Sequence, residues 1–185
     1  MPVIISLLRG VNLAGHNKIK MEVLRDLCLS LKFQDPQTYL QSGNVIFRAG
    51  SQDLAQLSKP LETAIERKLG FRTDVVMRTV PELRQVIART PFAKRPGIDA
   101  SKLVVTFLGG KPSAQARKAL LAMDIAPEEL HVRGRELFIY FPNGQARPNL
   151  SWPRVEKLLN LAFTSRNWNT VTKLLQLGES LEGSD

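Results

Sequence analysis

Cysteine and histidine are scarce in this sequence of 185 residues, which contains one cysteine and two histidines. The single cysteine, Cys28, has no partner for a disulfide within the chain, and this excludes the disulfide-rich class of secreted proteins. Because only His16 and His131 remain as further soft ligands, we expect no metal site and no cofactor. The scarcity of cysteine also favours a reducing compartment.

Long hydrophobic runs are missing as well. The apolar stretch nearest the N-terminus, Val3 to Leu8, spans six residues and is interrupted by Ser6. A membrane-spanning helix needs about 20 apolar residues, and a signal peptide needs a basic start and a small-residue cleavage pattern. Neither pattern is present, so we expect a soluble, cytoplasmic protein with no membrane partner.

Acidic residues are fewer than basic ones. The chain has 26 lysines and arginines against 17 aspartates and glutamates, a net charge of +9 at pH 7. A positive chain attracts anionic partners. The excess is spread evenly over the first 150 residues, and no basic run or tail is present. Nucleic acid is therefore an alternative partner that the sequence does not favour, since nucleic-acid binders often carry a polybasic arm.

Apolar runs, helical spacings and turn signals occur in the same order twice along the chain. The first copy predicts strand 3–8, helix 21–32, strands 38–41 and 45–48, helix 54–69 with a bend or restart at Pro60, strand 73–78 and a helix from 80 to about 90. The second copy predicts strand 103–108, helix 113–123, strands 130–133 and 136–141, a helix beginning at 151, an extended piece 164–168 and helix 169–177.

The order of strands and helices in each copy, βαββαβ, is that of the ferredoxin-like fold. We therefore predict an α+β protein of two ferredoxin-like subdomains, each followed by an extra helix, that pack together. The first subdomain covers residues 1–91, a connector rich in proline and basic residues covers 92–101, and the second subdomain covers 102–177. Residues 178–185 are acidic and polar, and we expect them to form a frayed tail.

The two copies differ in length near their beginning. The hairpin glycines Gly43 and Gly134 lie 91 residues apart, as do Thr79 and Thr170, whereas the opening strands lie 100 residues apart. The first copy should therefore carry about nine additional residues, and the loop 10–18 is the place for them. Long loops are more often functional than short connectors.

This long loop provides the candidate site. A glycine-containing loop between a strand and a helix is a common phosphate cradle. Gly10 and Gly15 even have P-loop spacing, but His16 and Asn17 follow where that motif needs lysine and serine or threonine, so an NTPase is excluded. In a ferredoxin-like unit this loop lies beside the first hairpin. The predicted ligand-binding residues are Arg9, Asn12, His16, Asn17, Lys18, Gln41 and Asn44, with Arg166 and Asn167 if the two halves form one site.

Several of these residues also have a purely structural interpretation. Asn44 and Gly43 fit a tight turn, because asparagine and glycine tolerate positive φ angles. Asn169 fits the N-cap of the last helix. Arg166 fits either an anionic ligand or a position over the ring of Trp168. Cys28 falls on the apolar face of its predicted helix, and we expect an inert core thiol there.

The sequence thus favours a protein that binds a small anionic or phosphate-bearing ligand at a polar loop edge. One alternative is a nucleic-acid-associated protein that uses a diffuse basic surface. Another is an enzyme acting on a nucleotide-like or phosphorylated substrate, for which His16 would be the acid or base. No catalytic motif is present, and the residues do not decide between binding and turnover.

Three motifs carry a resemblance to a known family: Leu8-Arg-Gly-Val-Asn12, Tyr39-Leu-Gln-Ser-Gly-Asn44 and Thr164-Ser-Arg-Asn-Trp-Asn-Thr-Val171. On these motifs the chain resembles the bacterial proteins of domain of unknown function family 1697. The resemblance implies an α+β fold of two ferredoxin-like subdomains and implies no activity. In the first loop the chain reads Ala14-Gly-His-Asn-Lys18 where family members often have a Gly-Gly-Lys-Asn-Lys run.

Overall fold

The structure, a computed structural model, describes residues 1–184, so that Asp185 of the predicted tail lies outside the described residues. The first copy of the repeat comprises β1 (Val3–Leu8), α1 (Met21–Ser30), β2 (Gln34–Tyr39), β3 (Asn44–Arg48), α2 (Leu54–Leu69), β4 (Val75–Thr79) and α3 (Val80–Ala88). The second copy comprises β5 (Leu103–Leu108), α4 (Ala114–Leu121), β6 (Glu129–Arg133), β7 (Glu136–Tyr140), α5 (Trp152–Leu159), β8 (Phe163–Asn167) and α6 (Trp168–Glu182), preceded by a 3₁₀ turn at Ala100–Lys102. This order confirms the predicted α+β fold with two ferredoxin-like subdomains.

The two sheets have the same topology. Their strand orders are β2-β3-β1-β4 and β6-β7-β5-β8, and all neighbouring strands are antiparallel. The inner strands β1 and β5 are buried at every position. A strand buried on both faces is predominantly apolar, and in β1 and β5 the polar exceptions are the small residues Ser6 and Thr106. The two apolar runs therefore predicted these strands at their observed bounds.

Each sheet has one face covered by two helices of its own copy. In the first copy α1 and α2 contribute to a core that includes Leu24, Cys28, Leu61, Ile65 and the stacked rings of Phe33 and Phe47. In the second copy α4 and α5 contribute to a core that includes Leu120, Val155, Leu159, Ile139 and Phe141. Burial raises the pKa of the Cys28 thiol to about 12, so this cysteine is a protonated core residue at neutral pH.

The backbone register revises the predicted alignment of the two copies. Ile5 lies opposite Ile46, and Val105 lies opposite Phe138. The separation is thus 41 residues in the first copy and 33 in the second, so the first copy has eight additional residues before β3 instead of the predicted nine. The error arises because the first hairpin turn has four residues and the second has two, so the two turn glycines do not correspond.

The predicted match of Thr79 with Thr170 is wrong. Arg78 lies opposite Ile5, and Arg166 lies opposite Val105. Thr79 therefore corresponds to Asn167, the last residue of β8. In the first copy Thr79 is the last residue of β4, whereas in the second copy Thr170 lies within α6, near its start. The two Thr-Val pairs are alike by chance, and only the strand register shows that they do not correspond.

The strand β2 begins and ends earlier than predicted. It runs from Gln34 to Tyr39, whereas the prediction was 38–41, and Leu40 with its φ of +57° already belongs to the turn. β2 is an edge strand that is polar and partly exposed, and its register is irregular between Gln34 and Gln37. It also contains Pro36, which an edge strand tolerates because one side of its backbone has no strand neighbour. Such a strand has no apolar alternation by which to recognise it.

The helix α2 is continuous where a bend or restart was expected. It runs from Leu54 to Leu69 with Pro60 inside it, and it begins with the side chain of Asp53 accepting hydrogen bonds from two backbone N–H groups. A proline removes one backbone hydrogen bond of a helix. The buried side of α2 packs into the core of the first copy and holds the helix together across this position.

The C-terminal helix is longer than predicted. α6 continues to Glu182, so the expected frayed tail from residue 178 is wrong over the described residues. Gly178 lies so close to α3 that an added Cβ would come within 2.8 Å of Val80 Cγ2. The Arg48 Nη2 group donates a hydrogen bond of 2.6 Å to the carbonyl of Leu181. These buried contacts keep the end of α6 helical, although the composition of this segment is typical of a terminal tail.

The contacts divide the described chain into two units. The first unit contains residues 1–85 and 173–184, and the second contains 86–172. This division differs from the boundaries predicted from the repeat, because the end of α6 packs with the first unit. The predicted connector is a packed part of the second unit, where Phe92 is buried against the rings of His131 and Tyr140. Within residues 1–184, no helix combines the length and the apolar character that crossing a membrane requires.

Candidate functional site

The loop after β1 closes on itself through its own backbone groups. The N–H of Asn12 donates to the carbonyl of Asn17 at 3.1 Å, and the N–H of His16 donates to the carbonyl of Leu13 at 2.8 Å. Asn12, Ala14 and Asn17 have φ angles of 54°, 47° and 48°. Asparagine adopts this left-handed conformation more readily than most residues, so two of the three positions suit their residue. The additional residues of the first copy therefore form a closed turn structure.

The side chain of Asn12 fastens this loop to the first hairpin. Its Nδ2 group donates to the carbonyl of Gln41 at 2.7 Å and to the carbonyl of Ile19 at 2.9 Å. Its Oδ1 atom accepts from the N–H of Ile19 at 2.9 Å. Both amide hydrogens are thus engaged within the protein. Asn12 was predicted to contact a ligand, and the structure places it as a clamp between loop and hairpin.

Asn44 has a similar place inside the hairpin. It is fully buried, and its Nδ2 group donates to the carbonyl of Tyr39 at 2.7 Å and to the Ser42 hydroxyl at 3.0 Å. Gly43 beside it has a φ of +76°, and a Cβ there would lie 2.6 Å from Val11 Cγ2. Only glycine lets the loop come this close to the hairpin. The predicted neighbourhood of loop and hairpin is therefore present, and these polar groups hold it together.

The other predicted residues of the loop and hairpin lie at the surface. Gln41 lies in the hairpin turn instead of ending a strand, and its side chain is exposed. His16 and Lys18 are exposed too, and neither lines the cleft described below. An exposed histidine that lies outside the lining of the cleft gives no support to a catalytic role for His16.

Arg166 and Asn167 belong to the second unit. Arg166 is buried, and its Nη1 group donates to the Thr164 hydroxyl at 2.7 Å. Burial lowers the pKa of Arg166 to about 10, so the side chain is still protonated at neutral pH. Asn167 donates from Nδ2 to the carbonyl of Ser101 at 2.7 Å and accepts at Oδ1 from the N–H of Asn169 at 3.0 Å. Asn167, and not the predicted Asn169, therefore caps the start of α6.

Arg9 and Asn17 are the predicted residues that line a cleft, and its volume is about 570 Å³. The cleft lies within the first unit and is called the first-unit cleft below. Its lining comes from the loop after β1 (Arg9, Gly10 and Asn17), from α2 (Lys59, Glu62, Thr63 and Glu66) and from the segment before β4 (Arg72, Thr73 and Asp74). Its volume falls within the usual range for small-molecule sites.

Hydrogen bonds fix the three walls of this cleft to one another. The N–H of Arg9 donates to the carbonyl of Asp74 at 2.9 Å, and the Thr73 hydroxyl donates to the carbonyl of Arg9 at 2.7 Å. On the helix side, the Glu62 Oε1 atom accepts from the N–H of Val75 at 3.0 Å. Loop, helix and strand are thus joined by one hydrogen bond between backbone groups and two between a side chain and the backbone. These bonds hold the walls of the cleft in place within the first unit.

Three ion pairs line the first-unit cleft, and each joins a basic group to a carboxylate. They are Arg9 with Asp74 at 3.3 Å, Lys59 with Glu62 at 2.8 Å and Arg72 with Glu66 at 2.7 Å. The hydrogen bond and the charge of Glu62 raise the pKa of Lys59, and those of Glu66 raise the pKa of Arg72. Both side chains are therefore cationic at neutral pH, and the cleft presents fixed charges of both signs.

Sequence reasoning missed most of this cleft. The polar face of α2 contributes Lys59, Glu62 and Glu66, which recur at spacings of three and four residues. Those spacings are the signal that was available, because they place the three side chains on one side of a helix. A charged helix face is usually only a solvated surface. The tertiary fold places α2 and the loop on the same cleft, and this placement cannot be read from the sequence of either segment alone.

Two other kinds of site receive no support from the described residues. Among residues 1–184, no group of three histidine, cysteine, aspartate or glutamate side chains could hold a metal ion. Proteins that bind RNA on a sheet expose aromatic residues on its central strands. The central strands β1 and β5 are buried at every position, so neither offers such a platform.

Comparisons with known proteins give a family and a fold. A family model described as "Protein of unknown function (DUF1697)" matches residues 1–138. A structure described as "The structure of conserved bacterial protein SP0830 from Streptococcus pneumoniae" is similar over 97% of this chain and 99% of that chain, with a TM-score of 0.74 and 22% sequence identity. At this identity the likeness concerns the fold alone. No curated protein matches the chain.

Proposed function

We propose that this chain, which belongs to the DUF1697 family of proteins of unknown function, binds a small ligand bearing a phosphate or carboxylate group in the first-unit cleft. The family supplies no activity to build on, so the proposal is argued from the cleft. It keeps the class of ligand that the sequence favours. It moves the ligand away from the hairpin, toward Arg9 and the basic residues that face the loop from α2 and the segment before β4.

Arg72 carries this proposal. Its side chain is 87% exposed, and within residues 1–184 its only hydrogen bond joins Nε to the Glu66 Oε1 atom at 2.7 Å. The two Nη groups are therefore available to a ligand. A guanidinium presents such donors in a planar fork that matches two oxygens of a phosphate or carboxylate. Bonds of this charged kind are about twice as strong as neutral hydrogen bonds.

Other groups of the cleft can add to this contact. The Lys59 ammonium gives one of its three donors to Glu62 and keeps two, within the described residues. Beside Gly10, no atom lies within 4 Å of the place where a Cβ would be, so a ligand can approach the backbone there. Two basic side chains and an open glycine on neighbouring walls are an arrangement suited to an anion.

The carboxylates of the cleft compete with such a ligand for the basic side chains. Binding therefore depends on how strong the existing ion pairs are compared with the bonds to the ligand. The Arg72–Glu66 pair is largely exposed, with 87% and 45% of the two side chains accessible. Exposed ion pairs of this kind contribute about 0–1 kcal/mol. A phosphate that forms two bonds with the same guanidinium is the stronger partner. The ion pair therefore holds Arg72 in place without preventing ligand binding.

The test is a calorimetric titration of the full chain with inorganic phosphate. We expect saturable binding of one phosphate for each chain, weakened about tenfold or more by Arg72→Gln, since a hydrogen bond to a charged group contributes about 1.5–3 kcal/mol. Arg117→Gln is the matched control, because Arg117 is an exposed arginine of α4 in the second unit. It removes the same charge and should leave the affinity unchanged.

Two results would contradict the proposal. One is the absence of saturable phosphate binding by the unmodified chain. The other is an equal loss of affinity in both variants, which would mean attraction by net charge at no defined place. The second result would instead support the alternative of a diffuse basic surface that contacts nucleic acid.

A further inference from the structure

We infer that the ligand of the first-unit cleft is a zwitterion, a small molecule with a primary ammonium group beside its phosphate or carboxylate. This inference rests on the proposed function and names the second half of the ligand. We infer the ammonium group from the hydrogen-bond acceptors of the cleft, as we infer the anionic group from its hydrogen-bond donors.

The balance of charge in the cleft is its first support. Its lining contains three basic side chains and three carboxylates, so its formal charge is zero. An anion alone would leave the carboxylates facing a negative ligand, which costs free energy when like charges meet in a partly enclosed site. A zwitterion places a charge of each sign against a partner of the opposite sign. The cleft is therefore electrostatically complementary to a ligand that carries separated charges of both signs.

The three carboxylates are not equivalent, and two of them have room for an ammonium group. Glu62 uses both oxygens, because Oε1 accepts from the N–H of Val75 and Oε2 accepts from Lys59. Asp74 uses only Oδ2, in its pair with Arg9, and Glu66 uses only Oε1, in its pair with Arg72. Within residues 1–184, the second oxygens of Asp74 and Glu66 accept no hydrogen bond.

The exposure of these two carboxylates agrees with that assignment. The side chains of Asp74 and Glu66 are 43% and 45% accessible, whereas that of Glu62 is 20% accessible. Glu62 thus positions Lys59 and joins α2 to β4. Asp74 and Glu66 line the cleft, and each keeps one oxygen that accepts no hydrogen bond within residues 1–184. An ammonium group has three donors and no acceptor, so such oxygens are suitable partners for it.

A metal ion is the other cation that carboxylates bind, and the cleft does not suit one. Among the described residues, no three acidic or histidine side chains come together as a metal would need. Asp74 and Glu66 also each hold an arginine, whose positive charge repels a divalent cation. A singly charged ammonium with directional hydrogen bonds tolerates this neighbourhood better.

The experiment compares two phosphate esters of equal size in calorimetric titrations of the full chain. One is phosphoethanolamine, which carries an ammonium group, and the other is 2-hydroxyethyl phosphate, which carries a hydroxyl at the same place. We expect phosphoethanolamine to bind about tenfold more tightly or better, because the ammonium forms charge-assisted bonds that a hydroxyl cannot form.

Two variants test the acceptors themselves. Glu66→Gln and Asp74→Asn should bring the affinity ratio of the two esters toward one. Each should weaken the binding of phosphoethanolamine more than that of 2-hydroxyethyl phosphate, because only phosphoethanolamine presents an ammonium group to the lost carboxylate. A variant that only disturbed the fold would weaken the binding of both esters by the same factor. The controls are Glu22→Gln and Asp26→Asn, which remove exposed carboxylates of α1 outside the cleft and should keep the original ratio.

The outcomes separate this inference from the proposed function. Equal affinity for the two esters would overturn the zwitterion and leave the anion site standing. A preference for phosphoethanolamine that persists in both Glu66→Gln and Asp74→Asn would overturn the assigned acceptors. If neither ester binds, the proposed function fails, and the inference that rests on it fails as well.

Discussion

The two copies of the repeat share one backbone plan and differ in chemistry at the end of their first strand. In the first copy the N–H of Arg9 donates to the carbonyl of Asp74, and in the second the N–H of Gly109 donates to the carbonyl of Ala162, at 2.9 and 2.8 Å. The same hydrogen bond is thus flanked by an ion pair in one copy and by two small residues in the other. A Cβ added at Gly109 would lie 3.4 Å from the Ala162 Cβ, which is tight packing.

The second copy shows what this fold needs at that point for stability alone. It has five residues between β5 and α4, small side chains and close packing. The first copy has twelve residues between β1 and α1, an ion pair and an open cleft. These additions exceed the needs of the fold, and for that reason we place the proposed ligand binding in the first copy.

The largest effect should come from the two hairpin glycines. A Cβ at Gly43 would lie 2.6 Å from Val11 Cγ2 and 2.8 Å from Leu8 Cβ, in a residue with a φ of +76°. We expect Gly43→Ala to lower the free energy of unfolding by about 3 kcal/mol, from overpacking and backbone strain. Gly134 has a φ of +62° but no atom closer than 3.7 Å to an added Cβ. Gly134→Ala should therefore cost only about 1 kcal/mol of strain.

Urea denaturation of the two glycine variants checks this difference. Equal losses of unfolding free energy in the two variants would contradict the close approach of loop and hairpin in the first copy. The comparison is internal, because both substitutions add one methyl group to a turn residue with positive φ.

The clamp between loop and hairpin should give the next largest effect. Asn12→Ala removes three side-chain hydrogen bonds, and we expect it to lower the free energy of unfolding by about 2 kcal/mol. Asn17→Ala is the matched control, because it removes one bond, to the carbonyl of Gly10, and its φ of 48° is close to the 54° of Asn12. The backbone strain is then nearly equal in both variants. A loss for Asn17→Ala as large as that for Asn12→Ala would assign the effect to strain and not to the clamp.

Giving the first copy the chemistry of the second should weaken the proposed phosphate binding. The double variant Arg9→Gly with Asp74→Ala reproduces the pair found at Gly109 and Ala162. We expect phosphate affinity to fall about tenfold or more, since a charged donor is lost. Stability should change by about 1 kcal/mol or less, because the lost ion pair is partly exposed. Undiminished phosphate binding by this variant would place the ligand elsewhere.

The smallest effect concerns the helix cores. Cys28 occupies in α1 the place that Leu120 occupies in α4, four residues after the preceding buried position. Burial raises the pKa of Cys28 from 9.0 to about 12. Between these values the folded chain keeps the thiol proton and the unfolded chain loses it. The contribution of the thiol to stability is therefore complete below pH 9 and is lost as the pH rises toward 12.

This linkage can be measured with Cys28→Ala, which lacks the thiol. The advantage in unfolding free energy that the original chain has over Cys28→Ala at pH 7 should shrink by about 1.4 kcal/mol at pH 10. Taking the difference between the two proteins cancels the titration of tyrosines and lysines. An advantage that is the same at both pH values would mean that the thiol is not buried in the core.

How far the sequence predicts this molecule depends on how locally each feature is encoded. The buried strands β1 and β5 follow from their apolar runs. The start of α3 follows from Thr79 and Glu82, which have the spacing of a capping box and form its two reciprocal hydrogen bonds. The edge strand β2 and the end of α6 are not predictable in this way. Their residues are polar or glycine-containing, and only contacts with distant segments make them a strand and a helix.

The candidate site likewise has features that the local sequence predicts and features that depend on the tertiary fold. The sequence places the loop 10–18 beside the hairpin, and the bond from Asn12 to Gln41 agrees with that placement. It does not tell which side chains close the loop and which face outward. The charges of α2 join Arg9 only through the tertiary fold, and so Lys59 and Glu66 were absent from the prediction.

Phosphate binding in the first copy is tested most directly by titrating the ¹⁵N-labelled chain with inorganic phosphate and following the shifts of its backbone amide signals. We expect saturable shifts at Gly10, Arg72 and Thr73, with the signals of Gly109 and Gly110 unmoved at the same phosphate concentrations. Shifts of equal size at both places, or no saturable shifts at the first, would contradict the assignment of binding to the first copy.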